Sequence, residues 1–353
     1  MELQLYDNKR NGFIDYLRGI AITLVILGHC IQFGQGNDYY VSGMFFDSVL
    51  FKVIYSFHMP LFTLISGYCM GMSLNGDKAN RPLGTLLLKQ IKRILIPIIV
   101  WTTLFNIAEA AKLILVNGDT SYSEIFTNEL TRYITDFWFL WAILVCSIIV
   151  ILCLRLSNTT KVIVFTVLVI VGMLIPTNLW AQLTFVFPYY VLGYMWYSKN
   201  SKPVTMFEGK KGIVYLVVSG AAWIGMLLFY TKDSYVYTTG IFVIGKPEQI
   251  FNDLFRWVIG LFGCVFIVGV VYFIYSINIL KKLVSYLGTK TMGIYIMSSY
   301  IFIFLPRILR QVSSKWGWIY IIFEVIGILV VTVVATMVIE KSHIGSKILL
   351  GKK

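Results

Sequence analysis

Long apolar runs alternate with short polar segments along the whole chain, and the runs have the length of membrane spans. Ten can be marked, at residues 15–33, 49–74, 94–116, 137–154, 162–176, 182–198, 212–230, 254–280, 291–309 and 317–340. A helix needs about 20 apolar residues to cross a hydrocarbon layer about 30 Å thick. The fifth run is short for this. It either crosses with little tilt or pairs with the sixth as a tight hairpin across Pro176, Thr177 and Asn178. No soluble-sized insertion, repeat or low-complexity tract intervenes. The pattern predicts an all-α fold: a polytopic transmembrane helical bundle of about ten spans. It reads as one domain over residues 1–353, with no extra soluble domain.

Composition agrees. Hydrophobic residues make up 58% of the chain and charged ones 13%, with a mean hydropathy of +0.78. A soluble core of this size cannot hide so much apolar surface, so lipid is its solvent. The net charge of +13 changes the picture through its placement. If residues 1–18 are cytoplasmic, alternate loops (75–93, 155–161, 199–211, 281–290 and 341–353) complete a set holding 21 of the 30 Lys and Arg. The positive-inside rule then predicts ten spans with both termini cytoplasmic, and the expected location is the cell membrane. The basic balance therefore reads as topology and not as nucleic-acid binding, although a share in holding a phosphate-bearing substrate is compatible with it. The N-terminus carries Glu2, Asp7, Lys9 and Arg10 without a small-residue cleavage site, so the first run reads as a retained helix. Cys30, Cys69, Cys146, Cys153 and Cys264 all fall in apolar runs, with no spacing for a disulfide framework or a metal site, and read as core residues.

Candidate chemistry concentrates in the first two runs. Arg18 and His29 are eleven residues apart. On a helix this puts them on one face within roughly 20° and about 16 Å apart along the axis, with Arg18 at the cytoplasmic end and His29 near mid-membrane. Arg18 alone also fits a side chain snorkelling to lipid phosphates. An ionisable group at the depth of His29 costs a few kcal/mol, about 2.5–3.5 on insertion scales for charged residues, unless a partner or cavity receives it. His29 is either a neutral imidazole bonded to another helix or part of a site. His58 lies at similar depth in the second run, followed by Pro60, Ser66 and Gly67. That combination fits a packing kink or a pocket opened by the proline.

Further on, the basic loop leading through Lys89, Lys92 and Arg93 reads as a topology signal or as a receptor for nucleotide phosphates, which Arg binds bidentately. Trp138 follows Asp136 and Phe137 at the start of the fourth run, suited to an interfacial aromatic belt or to stacking against a sugar. Gly193 and Gly288 stand outside any phosphate-loop pattern. His343 reads as a loop residue with no role. The loops 34–48, 117–136 and 231–253, richer in Asp, Glu, Tyr and Gly, read as a polar outer rim.

These segments resemble the acyltransferase 3 family of integral membrane acyltransferases. The resemblance rests on Asp15, Tyr16, Leu17, Arg18, Gly19 with Gly28 and His29, then on Phe57, His58, Met59, Pro60 with Ser66, Gly67 and Tyr68. Weaker matches are Lys92 to Pro97, Trp138 to Leu140, and Leu287 to Tyr295. They follow the family's order over nearly the whole chain. The resemblance implies a ten-helix core and O-acylation of surface polysaccharides or lipids, and it links Arg18 and His29 to acyl-CoA use. Two departures stand out: Met297, Ser298 and Ser299 follow Tyr295 where relatives often carry a histidine, and no extracellular hydrolase-like domain is seen, as in single-domain members.

The expected activity is transfer of an acyl group, acetyl foremost, from acyl-CoA to a hydroxyl of a cell-surface glycan or lipid-linked sugar. No cofactor is expected to stay bound, and acyl-CoA, acetyl-CoA foremost, is the expected co-substrate. His29 and His58 are the catalytic candidates, because neutral imidazole suits a general base near pH 7. Arg18, Lys92 and Arg93 are the candidates for binding coenzyme A, and Asp15, Ser66 and Trp138 for other substrate contacts. Cys30 points about 100° away from His29 and is a poor nucleophile for it. The alternative is a polytopic transporter or flippase of a glycan precursor, a class that also carries intramembrane ionisable residues. No repeat of the first half in the second supports it. A glycan polymerase or ligase would show a large outer loop rich in Arg and His, and none is present.

Overall fold

In hydrocarbon every backbone N–H and C=O must be satisfied within its own segment, so apolar runs of this length become helices. The computed structural model describes residues 6–7, 10–76, 80–117, 122–199, 205–275, 280–308 and 317–352. Of the basic residues used to orient the loops, Lys9, Lys78, Lys202 and Lys353 lie outside the described residues.

Sixteen α-helices are present among the described residues. The first half comprises α1 Gly12–Phe33, α2 Asn37–Ser42, α3 Val49–Ser73, α4 Leu83–Gln90, α5 Ile96–Asn117, α6 Tyr122–Thr135, α7 Trp138–Leu152 and α8 Asn158–Met173. The second half comprises α9 Asn178–Lys199, α10 Gly209–Leu227, α11 Val236–Thr239, α12 Gln249–Tyr275, α13 Lys281–Thr289, α14 Thr291–Ile308, α15 Gly317–Glu340 and α16 His343–Leu350. The strands β1 Tyr6–Asp7 and β2 Arg10–Asn11 pair antiparallel ahead of α1. Within the described residues, each of the ten apolar runs falls mainly on a helix. By length and composition, six helices among the described residues can cross a membrane, and Trp138–Leu152, Asn158–Met173 and Thr291–Ile303 are shorter apolar helices. The chain is a multi-pass helical membrane protein.

α1 is the centre of the bundle. Two-thirds of its apolar window (67%) is buried, against 22% for α10 and 28% for α15. The outer helices turn rows of large apolar side chains outward, among them Val214, Val217 and Val218 on α10 and Phe323, Val330 and Val334 on α15. These rows form the surface that lipid covers.

Close helix crossings set the interior. Gly67 on α3 and Gly193 on α9 face each other so closely that a Cβ on either would sit 2.0 Å from a backbone oxygen of the other helix. Gly288, read from sequence only as lacking a phosphate loop, has the same role where α13 meets α1: its Cβ would lie 1.7 Å from the Asp15 carbonyl oxygen. Such small-residue contacts bring helices together in lipid, where no hydrophobic drive does so.

Two sequence expectations are corrected. The basic loop at residues 89–93 is helical. Leu86 and Ile94 are buried and hold the segment against the bundle, and a π-helical turn at Ile91–Leu95 joins α4 to α5. Single π-turns cluster at functional sites because they redirect side chains. His343 is not in a loop but opens α16, behind Ser342, whose hydroxyl accepts from the Gly345 N–H at 3.0 Å. Pro60 lies inside α3, which is continuous through it.

Candidate active site

Along α3, positions 55, 58, 59, 62, 66, 69 and 73 recur at three- and four-residue spacing and share one face. That face borders two cavities placed end to end. The inner one has a volume of about 150 Å³ and is walled by Arg18 of α1, Phe62, Ser66 and Cys69 of α3, Arg93 of the π-turn and Tyr295 of α14. Arg18 donates to the Thr291 hydroxyl at 2.7 Å and lies 3.7 Å from the Asp15 carboxylate. Ser66 donates to the Phe62 carbonyl oxygen at 2.8 Å.

Arg18 and Arg93 also line a third, much larger space of about 950 Å³, at the end of the bundle where the N-terminus of α1 lies. Lys89 and Lys92 border it as well. The two guanidinium groups thus stand at the junction between a wide basic mouth and a narrow, mostly apolar throat.

The throat reaches a layer of aromatic rings. Phe62 meets Phe139 edge-on with centroids 5.3 Å apart, and Phe139 meets Tyr295 at 5.9 Å. One helical turn beyond Phe62, Met59 and His58 line the outer cavity, a space of about 40 Å³ that also takes in Tyr55, Trp138, Tyr235 and Arg256. Trp138 faces the outer cavity and Phe139 the inner one. The turn before them is strained, because Phe137 holds a left-handed backbone (φ 55°) uncommon for a bulky residue. Its ring is buried against Tyr295 and Tyr300, which keeps the turn in place.

The histidines are linked through one tyrosine. His29 Nδ1–H reaches Gln32 Oε1 at 3.2 Å and the Tyr55 hydroxyl oxygen at 3.3 Å, and that hydroxyl donates to Gln32 Oε1 at 3.1 Å. The Tyr55 ring lies 4.4 Å from the His58 ring, centroid to centroid. Phe33 and Phe302 pack on His29 at 5.8 and 5.0 Å.

The structure therefore sorts the predicted residues. Arg18, Arg93 and Ser66 come together in the inner cavity, and Lys92 joins the two arginines at the mouth. His58 and Trp138 come together in the outer cavity. His29 lines none of these three spaces and meets the outer one through Tyr55. Asp15 is buried beside Arg18 and lines none of these three spaces. Among the cysteines, read alike as core, Cys69 lines the inner cavity.

Two features escaped the sequence reading. Tyr55 is one of 22 tyrosines and nothing local marks it. Arg256 left a signal, an Arg inside the eighth apolar run. It is 2% exposed and donates to the carbonyl oxygens of Ser234 at 2.9 Å and Asp233 at 2.6 Å, to Asp253 Oδ1 at 2.7 Å, and to Gly240 and Thr239. These bonds tie residues 233–240, which roof the outer cavity, to α12. Among the described residues no group of three His, Cys, Asp or Glu is placed to hold a metal ion.

The family model for an acyltransferase domain matches residues 11–340. The chain belongs to the acyltransferase 3 family. The match takes in both cavities and the basic mouth except its C-terminal wall. Among curated relatives, nodulation protein NolL of Mesorhizobium japonicum is 27% identical over 323 residues, covering 88% of this chain and 81% of the relative. Nodulation protein NolL of Sinorhizobium fredii is 28% identical over 237 residues, covering 67% of this chain and 62% of the relative. No solved structure matches. Membership in the acyltransferase 3 family makes the chain a membrane acyltransferase, so the cavities are read as places for an acyl donor and an acceptor.

Proposed function

We propose that the protein is a membrane O-acyltransferase that takes an acyl group, acetyl foremost, from acyl-CoA on the cytoplasmic side and passes it to a hydroxyl of a glycan or lipid-linked sugar. The observation that carries this reading is the end-to-end order of basic mouth, narrow throat and histidine-lined outer cavity. A wide basic space suits the nucleotide head of coenzyme A, since guanidinium groups pair bidentately with phosphate oxygens. A narrow throat suits the thin pantetheine arm. We place both termini in the cytoplasm, with ten spans in a bacterial plasma membrane, in keeping with the loop charges and with relatives from rhizobia.

In this mechanism the acceptor hydroxyl enters the outer cavity, whose size admits one group of a sugar and not a whole ring. His58 takes the hydroxyl proton as the oxygen attacks the thioester carbonyl. The C–S bond breaks, coenzyme A leaves as the thiolate, and the proton passes to it. The aromatic layer of Phe62 and Phe139 parts to let donor and acceptor meet. His29 acts through Tyr55 as a positioning residue. A transporter would also place ionisable groups in the membrane, but it needs no donor mouth on one side. Purified protein in nanodiscs, given acetyl-CoA and glycan from its own membrane, is expected to release free coenzyme A and to label the glycan with acetyl. Absence of both products with folded protein would reject the reading.

A further inference from the structure

The mouth of the donor path has a wall that the family match does not reach. Lys347 and Lys352, from α16 and the turn after it, line the same space as Arg18, Lys89, Lys92 and Arg93. The tail is built to stay there. Glu340 at the end of α15 pairs with both Lys290 and Lys352. Trp101 Nε1 on α5 donates to the Leu349 carbonyl oxygen at 2.8 Å, and Leu350 is 2% exposed. Gly351 turns the chain at φ 57°, against Arg93 so closely that a Cβ there would meet the Arg93 carbonyl oxygen at 1.9 Å. The tail is thus packed directly on the residue that marks the top of the throat.

Charge around this space is lopsided. Among the described residues, six cationic side chains line it and no acidic side chain does. The nearest carboxylates, Asp15 beside Arg18 and Glu340 between two lysines, are already paired. Lys347 is exposed, one turn before Leu350 and Gly351. An arrangement of this kind is a seat for a dense polyanion.

We propose that α16 and its closing turn form one wall of the nucleotide seat, and that Lys347 binds the 3′-phosphate of the acyl-CoA donor. This rests on the reading above that the donor is acyl-CoA. Arg18 and Arg93, at the junction, hold the pyrophosphate where the pantetheine arm enters the throat. Lys347 stands exposed on the α16 wall of the same space, away from the throat that Arg18 and Arg93 line, and there the adenosine 3′-phosphate comes to rest. Lysine suits that position because a terminal phosphate on a mobile ribose is met by a flexible point charge.

The test compares acetyl-CoA with acetyl-3′-dephospho-CoA, using the full chain in nanodiscs and reading free thiol release. Wild type is expected to show a lower KM for acetyl-CoA. Lys347→Glu is expected to raise the KM for acetyl-CoA about tenfold, the size of one lost charge-assisted contact, with a far smaller change for the dephospho donor. The preference between donors then disappears, and Lys347→Arg keeps it. Equal effects on both donors, or none on either, overturn the role of Lys347 and leave the donor reading standing. Consumption of neither donor by folded wild type overturns the donor reading itself, and this proposal with it. Thermal unfolding of each variant excludes a folding defect, which an exposed position is not expected to cause.

Discussion

His58 turns its Nδ1–H onto the carbonyl oxygen of Ile54, one helical turn back, at 2.9 Å. A carbonyl can only accept, so the proton belongs to Nδ1 and the lone pair to Nε2. The backbone of α3 thereby fixes the tautomer of the one histidine that lines the outer cavity. Nε2 is left with the lone pair that the proposed mechanism needs for the acceptor hydroxyl. His58→Ala and His58→Gln are each expected to lower kcat by about 10²–10⁴, the usual contribution of a positioned base. The KM for acetyl-CoA should change little, because the donor mouth lies at the other end of the path. Glycan acetylation by washed membranes, normalised to protein level, reads this directly. A His58→Gln enzyme with wild-type kcat would remove the base from the mechanism.

His29 enters the same scheme from behind. Its Nδ1–H is shared between Gln32 and Tyr55, so its influence on the cavity passes through the Tyr55 hydroxyl. Tyr55→Phe removes that hydroxyl and keeps the ring that packs on His58. The expected outcome is that His29→Ala loses more than tenfold in kcat in wild type but much less in the Tyr55→Phe background, as coupled groups do. Fully additive losses in the double variant would show that His29 acts by another route.

Cys69 offers a chemical probe of the donor path. It borders the inner cavity between Ser66 and Ser73, on the face of α3 that leads from the mouth to the aromatic layer. Burying a pantetheine arm there covers its thiol. In a chain with the other four cysteines replaced by serine or alanine, a small maleimide is expected to label Cys69. Acetyl-CoA is expected to slow that labelling at least several-fold. Labelling unaffected by saturating donor would mean that the arm does not occupy this cavity.

Much of this arrangement was legible in the sequence because membrane insertion leaves a coarse imprint. Apolar runs of span length must be helices, and within the described residues all ten fall mainly on helices. His29 and His58 stood out because ionisable groups are costly at such depth, and Arg18 and Arg93 as cations at one membrane face; the fold places His58, Arg18 and Arg93 on cavities and His29 behind Tyr55. Helical phase was a weaker guide. Arg18 and His29 do share a face of α1, yet that face meets Thr291 near one end and Tyr55 with Phe302 near the other, so the open path passes along α3 instead. Phase tells which residues of one helix align, but not which neighbour closes over them. The basic segment at 89–93 misled for a related reason. Charge density suggested a loop, while the buried Leu86 and Ile94 hold it against the bundle as a helix. Tyr55 was invisible because its role comes entirely from what two other helical turns place beside it.

The layer between the cavities carries its own expectation. Phe62 and Phe139 meet edge to face between the two cavities, and in the proposed mechanism they keep the thioester from water on the acceptor side. Replacing Phe62 with Ala removes most of that partition and leaves the mouth untouched. The variant is expected to hydrolyse acetyl-CoA in the absence of acceptor at a rate several-fold above wild type, while glycan acetylation per thioester consumed falls. The ratio of free coenzyme A to acetylated glycan measures the coupling. Unchanged coupling in Phe62→Ala would mean that the rings fill space without gating transfer.

Arg256 sets the last expectation, because it joins stability to the shape of the outer cavity. Its guanidinium is buried and is spent on carbonyl oxygens of the roof segment and on Asp253, so no part of it is left for substrate. Removing one partner of a buried charged pair costs about 3–5 kcal/mol, since the other is left uncompensated. Arg256→Ala is therefore expected to unfold at clearly lower temperature in detergent and to free the 233–240 roof. Arg256→Ala combined with Asp253→Ala should recover part of that loss, because the stranded carboxylate is gone, but not the roof contacts, which only the guanidinium makes. Activity should follow the roof rather than the melting temperature: the double variant is expected to regain stability while staying poor in acceptor KM. A double variant that regains both would show that the carboxylate, and not the tethered segment, governs the cavity.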